Sequence, residues 1–347
     1  MNLETTIKKH DREIIIASWL SIVLMMVFAM VVLGGFTRLT HSGLSMVEWR
    51  PLTGWFPPLS HDDWVVVFEK YKLSPEFQKI NSDMEIDGFK SIFWLEYLHR
   101  LWGRIIGIAF LVPFIFFLFC GWISRGLAPK LVGLFILGGV QGVMGWYMVK
   151  SGLVDKPDVS QYRLVAHFSI ALVIIGAMQW IAFELFFPKK PGVMVKSSLR
   201  YFSLFTAGWA FITAVSGGFV AGLDAGFSYN TFPLMNGDLF PPDLYQLSPF
   251  YLNFFEDVTS VQFNHRLLAE ILFLIVVLMW FRTRGVSLSH RGRIAVNCLA
   301  ASVLIQVTLG ISTLLLMIPV TLAAVHQAGA VVVFMTALWL AQELNKG

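Results

Sequence analysis

Glu96-Tyr97-Leu98-His99-Arg100-Leu101 is answered in the second half of the chain by Gln262-Phe263-Asn264-His265-Arg266-Leu267. Each run opens a long apolar stretch, about 92–122 and about 257–281, and roughly 20 apolar residues are what a helix needs to cross a bilayer. A histidine and an arginine placed a turn or two inside such a stretch are costly to bury and are functional candidates by default. Two further histidines, His167 and His326, take the same place in the apolar runs at about 161–187 and about 319–342.

The chain of 347 residues is 56% hydrophobic and 14% charged, and its mean hydropathy is +0.68. That balance belongs to an integral membrane protein. Further runs long enough to span lie at about 14–36, 128–149, 201–222 and 294–317, so an all-α fold of eight transmembrane helices is expected. The first run is too long for a signal-peptide core and no small-residue cleavage site follows it, so it should remain as an anchor. Its leader carries Lys8, Lys9 and Arg12 but also Glu4, Asp11 and Glu13, which points away from a mitochondrial transit peptide and toward a bacterial cell inner membrane. Arg125 and Lys130, then Lys189, Lys190, Lys196 and Arg200, then Arg282, Arg284, Arg291 and Arg293 all fall on the side of the amino terminus. The positive-inside rule then makes both termini cytoplasmic.

The net charge of +4 is thus mainly a topology signal, and no basic run suggests a nucleic-acid partner. On the opposite side two long aromatic-rich loops are expected, about 37–91 and 223–256, and loops of that length usually carry function. Cys120 and Cys298 both fall inside expected helices, where each reads as a small buried hydrophobe and not as half of a disulfide.

The two halves repeat one another. Gly34-Gly35-Phe36 returns as Gly217-Gly218-Phe219 and, at the same offset, Gly43-Leu44-Ser45 returns as Gly226-Phe227-Ser228. Pro51-Leu52 matches Pro233-Leu234, Gln141 with Gly145 matches Gln306 with Gly310, and His167 matches His326. The chain reads as two pseudo-repeated four-helix bundles, 1–190 and 191–347, joined by Lys189-Lys190-Pro191-Gly192.

In each half the histidines come from the second and fourth helices, which run parallel. All four sit about seven residues inside the entrance, roughly 10 Å deep at ~1.5 Å per residue. Two imidazoles facing each other across a bundle suit an iron already held by four porphyrin nitrogens, whereas a closed zinc site needs four protein ligands. His99 with His167 and His265 with His326 are therefore candidate haem ligands. Arg100 and Arg266 are candidates for the haem propionates, since a guanidinium matches a carboxylate; interfacial snorkelling is the competing reading, for Arg163 as well. Gln141 and Gln306 could equally be interhelical hydrogen-bond glue.

The informative difference lies three residues before the first histidine of each half, where Glu96 is replaced by Gln262. An acid sharing a helix face with His99 either ties down a loop or an arginine, or handles protons at a reacting porphyrin. The asymmetry favours an enzyme whose second half relays electrons while chemistry occurs in the first. A dihaem b-type electron-transfer cytochrome and a haem carrier are the competing classes.

Gly34-Gly35-Phe36-Thr37-Arg38-Leu39-Thr40, Trp49-Arg50-Pro51, Glu76-Phe77-Gln78-Lys79-Ile80-Asn81, the run through Glu96 to Arg100, Gln141-Gly142-Val143-Met144-Gly145-Trp146, Asn230-Thr231-Phe232-Pro233-Leu234-Met235 and Ala324-Val325-His326-Gln327 resemble the haem A synthase family, bacterial and mitochondrial. The resemblance covers nearly the whole chain and the class lacking a cysteine pair in the outer loop. It implies oxidation of the C8 methyl of haem O to a formyl group by successive hydroxylations, for use in cytochrome oxidase. It further implies a permanent haem b on His265 and His326, with Arg266 beside it. The substrate haem O would sit between His99 and His167, with Arg100 beside it and Glu96 as the acid of turnover. Haem O synthase, the protohaem farnesyltransferase, is the partner it implies, with an electron acceptor that the residues do not name; membrane lipid surrounds the chain, and homo-oligomerisation is left open.

Overall fold

The computed structural model describes residues 3–49, 53–153, 159–188 and 196–345. Arg50-Pro51, Leu52 and the Lys189-Lys190-Pro191-Gly192 linker lie outside the described residues, as do the side chains of Glu4 and Lys8. Among the described residues the fold is all-helical, without a strand: α1 (Leu3–Leu39), α2 (His61–Lys72), α3 (Pro75–Lys79), α4 (Ile86–Phe119), α5 (Ala128–Gly152), α6 (Gln161–Phe186), α7 (Ser197–Gly222), α8 (Val258–Arg284), α9 (His290–Leu315) and α10 (Val320–Leu344). The eight long helices are those expected from the apolar runs. Seven of them are long and apolar enough to cross a membrane by length and composition; α8 carries Arg266 and Glu270 within its apolar stretch. Large apolar side chains such as Ile22, Met25, Phe119 and Leu274 face outward, as they do when lipid is the solvent.

The helices cluster into two compact units, 26–171 and 1–25 with 172–347, which divide the chain inside α1 and α6. In the larger unit α7, α8, α9 and α10 form a closed ring in which each helix packs on two neighbours. Lipid offers no hydrophobic drive for helix association, so close approach depends on small side chains. Ala207, Ala210 and Ala214 supply that stripe on α7, with Ala337 and Ala341 on α10, all buried. Hydroxyls that would otherwise be unpaired in an apolar core bond back along their own helices, as Thr206 does to the Phe202 carbonyl at 2.8 Å and Thr313 to that of Leu309 at 2.7 Å.

In the smaller unit the loop after α1 is not irregular: it folds α2 and α3 into a cap on the start of α4. Ser60 and Asp63 form a reciprocal capping box that starts α2. The amide and hydroxyl of Ser60, with the Leu59 amide, hold the Asp63 carboxyl below the usual carboxylate range. Ser74 caps α3, with Pro75 preset in its first turn. Trp64, Phe68 and Tyr71 on α2 meet Phe89, Phe93 and Tyr97 on α4, with Trp64 edge-on to Phe93 at 5.0 Å. Each such pair adds about 0.5–1.5 kcal/mol beyond its buried area. This packing carries α4 several residues past the expected start near 92, because Phe89 has a partner outside the apolar run. At its other end α4 stops at Phe119, short of the expected 122. Cys120 is therefore an exposed C-cap residue and not the buried hydrophobe expected; Cys298 is half-buried, and both are free thiols.

Glu76, at the start of α3, is 3% exposed. The Tyr71 hydroxyl donates to it at 3.1 Å and itself accepts from the Asn81 amide at 2.8 Å. Burial, reinforced by the negative charge of Glu96, pushes the Glu76 carboxyl up to about 7. A folded-state value above the unfolded one means that the neutral acid fits the cap and the ionised form does not. The cap is then most stable below the ordinary glutamate range and loses stability as pH rises toward and through 7. Protease resistance of the cap should fall between about pH 5 and about pH 8 in the native chain and stay flat in Glu76→Gln, which cannot ionise. Parallel pH profiles for the two proteins would show that Glu76 does not carry the effect.

Candidate functional site

Each of the four histidines is seated by a glycine on the long helix that precedes its own. A Cβ built on Gly34 of α1 would stand 3.1 Å from Cε1 of His99, and one on Gly145 of α5 would stand 3.1 Å from Cε1 of His167. In the larger unit the same distances are 3.1 Å for Gly217 of α7 to His265 and 2.8 Å for Gly310 of α9 to His326. These are contacts that real Cβ atoms make seldom or not at all, so the glycines exist to let an imidazole lie against backbone. The glycines stood out in the repeat; their purpose did not, because it is a contact between helices.

His99 and His167 are close enough to feel each other's charge, as are His265 and His326, so each unit holds one facing pair. Among the described residues no group of three or more His, Cys, Asp or Glu side chains comes together as a metal site. A pair of imidazoles seated on glycine backbone fits the two axial positions of a haem, which brings its own four nitrogens.

The non-ligating edges of the rings are not treated alike. The Ser216 hydroxyl donates to the Thr213 carbonyl at 2.7 Å, which uses its proton, so at 2.8 Å from Nδ1 of His265 it accepts from that nitrogen. This leaves the Nε2 lone pair for a metal and locks the ring's orientation. Nδ1 of His167 and Nδ1 of His326 are buried without a hydrogen-bond partner, although the Gln141 and Gln306 backbones lie near the two rings. Nδ1 of His99 is likewise buried without a partner, so of the four rings only His265 is tied on that edge, and Leu33 precedes Gly34 where Ser216 precedes Gly217. That difference escaped the sequence reading, although it was visible as Leu against Ser one residue before a repeated glycine.

The two arginines next to histidines are neither snorkelling nor free. Arg100 donates to the carbonyls of Glu48 and Met46, both at 2.9 Å. Arg266 donates to those of Thr231 at 2.9 Å and Tyr229 at 2.6 Å, the repeat equivalents. Each guanidinium clamps the loop above its histidine. The buried Nε of each has no partner, leaving one donor apiece for an anionic group such as a propionate. Arg163 stacks on Tyr147 at 4.2 Å and bonds its hydroxyl, and Arg104 holds the Gly54 carbonyl at 2.7 Å.

Glu96 is 3% exposed and Gln262 2% exposed, so the exchange between them is a buried one. Glu96 takes a hydrogen bond from the Ser45 hydroxyl at 2.7 Å and from the Met46 amide at 2.8 Å on Oε2, and pairs with Arg100 through Oε1. Gln262 reverses the polarity: its amide donates to the carbonyls of Tyr229 at 3.0 Å and Gly226 at 3.4 Å. Both residues fasten a loop, but only one brings a charge. Gln141 meets Nε2 of His167 at 3.3 Å, and Gln306 donates to the His326 carbonyl at 2.9 Å.

The chain is similar to known proteins along nearly its whole length. A family model described as COX15-CtaA, cytochrome oxidase assembly protein, matches residues 17–338. The chain is 53% identical over 334 residues to haem A synthase of Nitrosospira multiformis, covering 95% of this chain and 94% of that one. It is 49% identical over 333 residues to haem A synthase of Nitrosomonas eutropha, with the same coverage. To haem A synthase COX15 of Homo sapiens it is 44% identical over 342 residues, covering 96% of this chain and 83% of that one. The chain belongs to the COX15-CtaA family of cytochrome oxidase assembly proteins.

Proposed function

We infer that the chain is a haem A synthase, an oxidoreductase converting haem O to haem A, and that its two histidine pairs have unlike tasks. The unequal support of His99 and His265 carries this reading. His265, tied on Nδ1 by Ser216, anchors its pair as a permanent site, with His326 as the second ligand. Bound there, a haem b would supply one-electron transfer. His99 and His167 hold haem O as substrate, its C8 methyl being oxidised to formyl by successive hydroxylations. An iron held by two histidines has no open position and a product must leave, so one ligand has to yield. His99 and His167 both lack a partner on Nδ1, so neither ligand of this pair is tied as His265 is.

Arg100 and Arg266 offer their unpaired Nε to a propionate while their other nitrogens hold the loop. Glu96 fastens Ser45 and Met46 over the site and is the one acid there that Gln262 does not reproduce. It serves as acceptor for protons leaving the methyl group, with the inserted oxygen coming from water. The repeat halves 1–190 and 191–347 are the functional units of this division. The distribution of Lys and Arg supports cytoplasmic termini in a bacterial inner membrane, with the histidine-bearing ends outward. Haem O synthase is the natural source of so hydrophobic a substrate.

A dihaem relay cytochrome is the second reading. Two equivalent relay sites would not need Glu96 against Gln262 or Leu33 against Ser216, which favours the enzyme.

Porphyrins extracted from Glu96→Ala protein should contain haem b and no haem A; Glu96→Gln, which keeps much of the loop bonding, should also stop conversion. Full activity in the glutamine variant would reduce Glu96 to a loop fastener. Leu33→Ser should give His99 the partner it lacks and slow turnover by about tenfold or more, while Ser216→Leu should loosen haem b by a similar factor. Equal effects of the two changes on both haems would remove the asymmetry. Turnover in ¹⁸O-water should label the formyl group beyond what carbonyl exchange accounts for, and an unlabelled product would overturn the water route.

A further inference from the structure

Gln141 and Gln306 take matching places in the repeat, yet their side chains do different things. On α9, Gln306 donates through Nε2 to the His326 carbonyl at 2.9 Å, so its amide is spent on backbone. Its Oε1 sits where a side chain at position 329 of α10 would begin: a Cβ built on Gly329 would stand 2.1 Å from that oxygen. Any residue but glycine there would expel the glutamine from its seat. Gly329 lies three residues after His326, and three residues after His167 the chain has Ile170.

In the first half the equivalent seat is therefore taken by a Cβ, and Gln141 on α5 turns to the imidazole instead. Its Nε2 lies 3.3 Å from Nε2 of His167. Among the described residues this is the one side chain that bonds an Nε2 of the four rings. An amide nitrogen can only donate, so Nε2 of His167 accepts. The lone pair that accepts is the one an iron would take, and it cannot serve both. His99 has no such competitor.

We propose that His167 is the ligand that yields in the substrate site and that Gln141 is the positioning residue that takes up its freed Nε2, a reading that rests on the haem A synthase assignment above. As His167 lets go, the iron–Nε2 bond breaks and the N–H···N bond from Gln141 forms; no electron or proton changes hands. A ring released inside the bundle without a donor would bury a bare acceptor, which disfavours release by about tenfold. Gln141 offsets that cost. His99 holds the porphyrin while His167 is off, and its own release then frees the product. In the second half Gln306 is spent on the His326 carbonyl, no donor waits for a released ring, and both ligands stay.

The test uses the purified full-length protein with its haems, reduced with dithionite and titrated with carbon monoxide, which binds only where an axial ligand has left. One haem of the native chain should take it. Gln141→Leu should weaken that binding about five- to tenfold and lower the high-spin share of the ferric spectrum, with haem content unchanged. Ile170→Gly, which opens the seat and lets Gln141 swing to the His167 carbonyl, should weaken it by a similar factor. Ile170→Ala keeps the Cβ and should bind as the native chain does. His167→Ala should retain both haems and bind carbon monoxide about tenfold more tightly, whereas His99→Ala should lose the first-half porphyrin. Binding unaltered in Gln141→Leu, equal binding in the two Ile170 variants, or porphyrin lost from His167→Ala and kept in His99→Ala would overturn the proposal. Should Gln141→Leu fold poorly, the two Ile170 variants decide the matter, since Gln141 is intact in both. Haem A formed while carbon monoxide binding ignores Gln141 would sink the ligand switch alone; the switch present with haem O never converted would uphold it and sink the synthase reading.

Discussion

The contact on which the sites depend is an imidazole lying against the backbone of a glycine one helix away. It recurs at Gly34, Gly145, Gly217 and Gly310, and each time it joins a ligand's helix to the long helix before it. In lipid, where side-chain burial gives little net drive, two helices approach only as closely as their interface residues allow. A glycine there does more than admit the neighbouring helix. It lets an imidazole lie against backbone where any side chain would stand. Helix packing and ligand orientation are therefore one requirement, and a side chain at any of the four glycines would disturb both.

Above each first histidine the same economy appears in the loops. Arg100 and Arg266 turn two nitrogens to loop carbonyls at matched positions, so the loop is fixed by the residue adjacent to the ligand. Glutamate and glutamine then fasten the loop from opposite directions, one accepting and one donating. A buried arginine needs either a counter-charge or several hydrogen bonds. Arg100 has both, with its side chain 7% exposed. Exchanging Glu96 for its repeat counterpart would remove the charge while keeping an amide able to bond the loop, which is why the pair separates electrostatics from scaffolding.

The eight apolar runs and the histidine pairs were legible because span length and repeat position are properties of one segment at a time. What escaped was set by partners distant in sequence. The early start of α4 follows from Phe89 packing on Trp64, Phe68 and Tyr71 of α2, a helix hidden in what reads as a loop. The arginines read as free for a propionate because no sequence pattern reveals that carbonyls at Met46, Glu48, Tyr229 and Thr231 already occupy most of each guanidinium. Cys120 seemed buried because apolar neighbours continue past it, yet the helix turns off at Phe119. The exchange of Leu33 for Ser216 is visible in the sequence, but its meaning depends on the His265 ring that Ser216 meets across a helix interface.

On the proposed division of labour, that exchange is what makes two similar sites compatible with two tasks. A relay site gains from rigidity, since any loosening of an axial ligand alters the potential of the iron it holds, and a hydroxyl that has spent its own proton on Thr213 can only accept from His265. A substrate site gains from the reverse: its porphyrin must enter and leave, and a ligand anchored as firmly as His265 would retain the product. Leucine at the matched position has no hydroxyl to offer, so the His99 ring is seated by Gly34 but not tied. On this argument the repeat provides the geometry for binding iron twice, and a single apolar-for-polar exchange beside the ligand decides which of the two porphyrins stays.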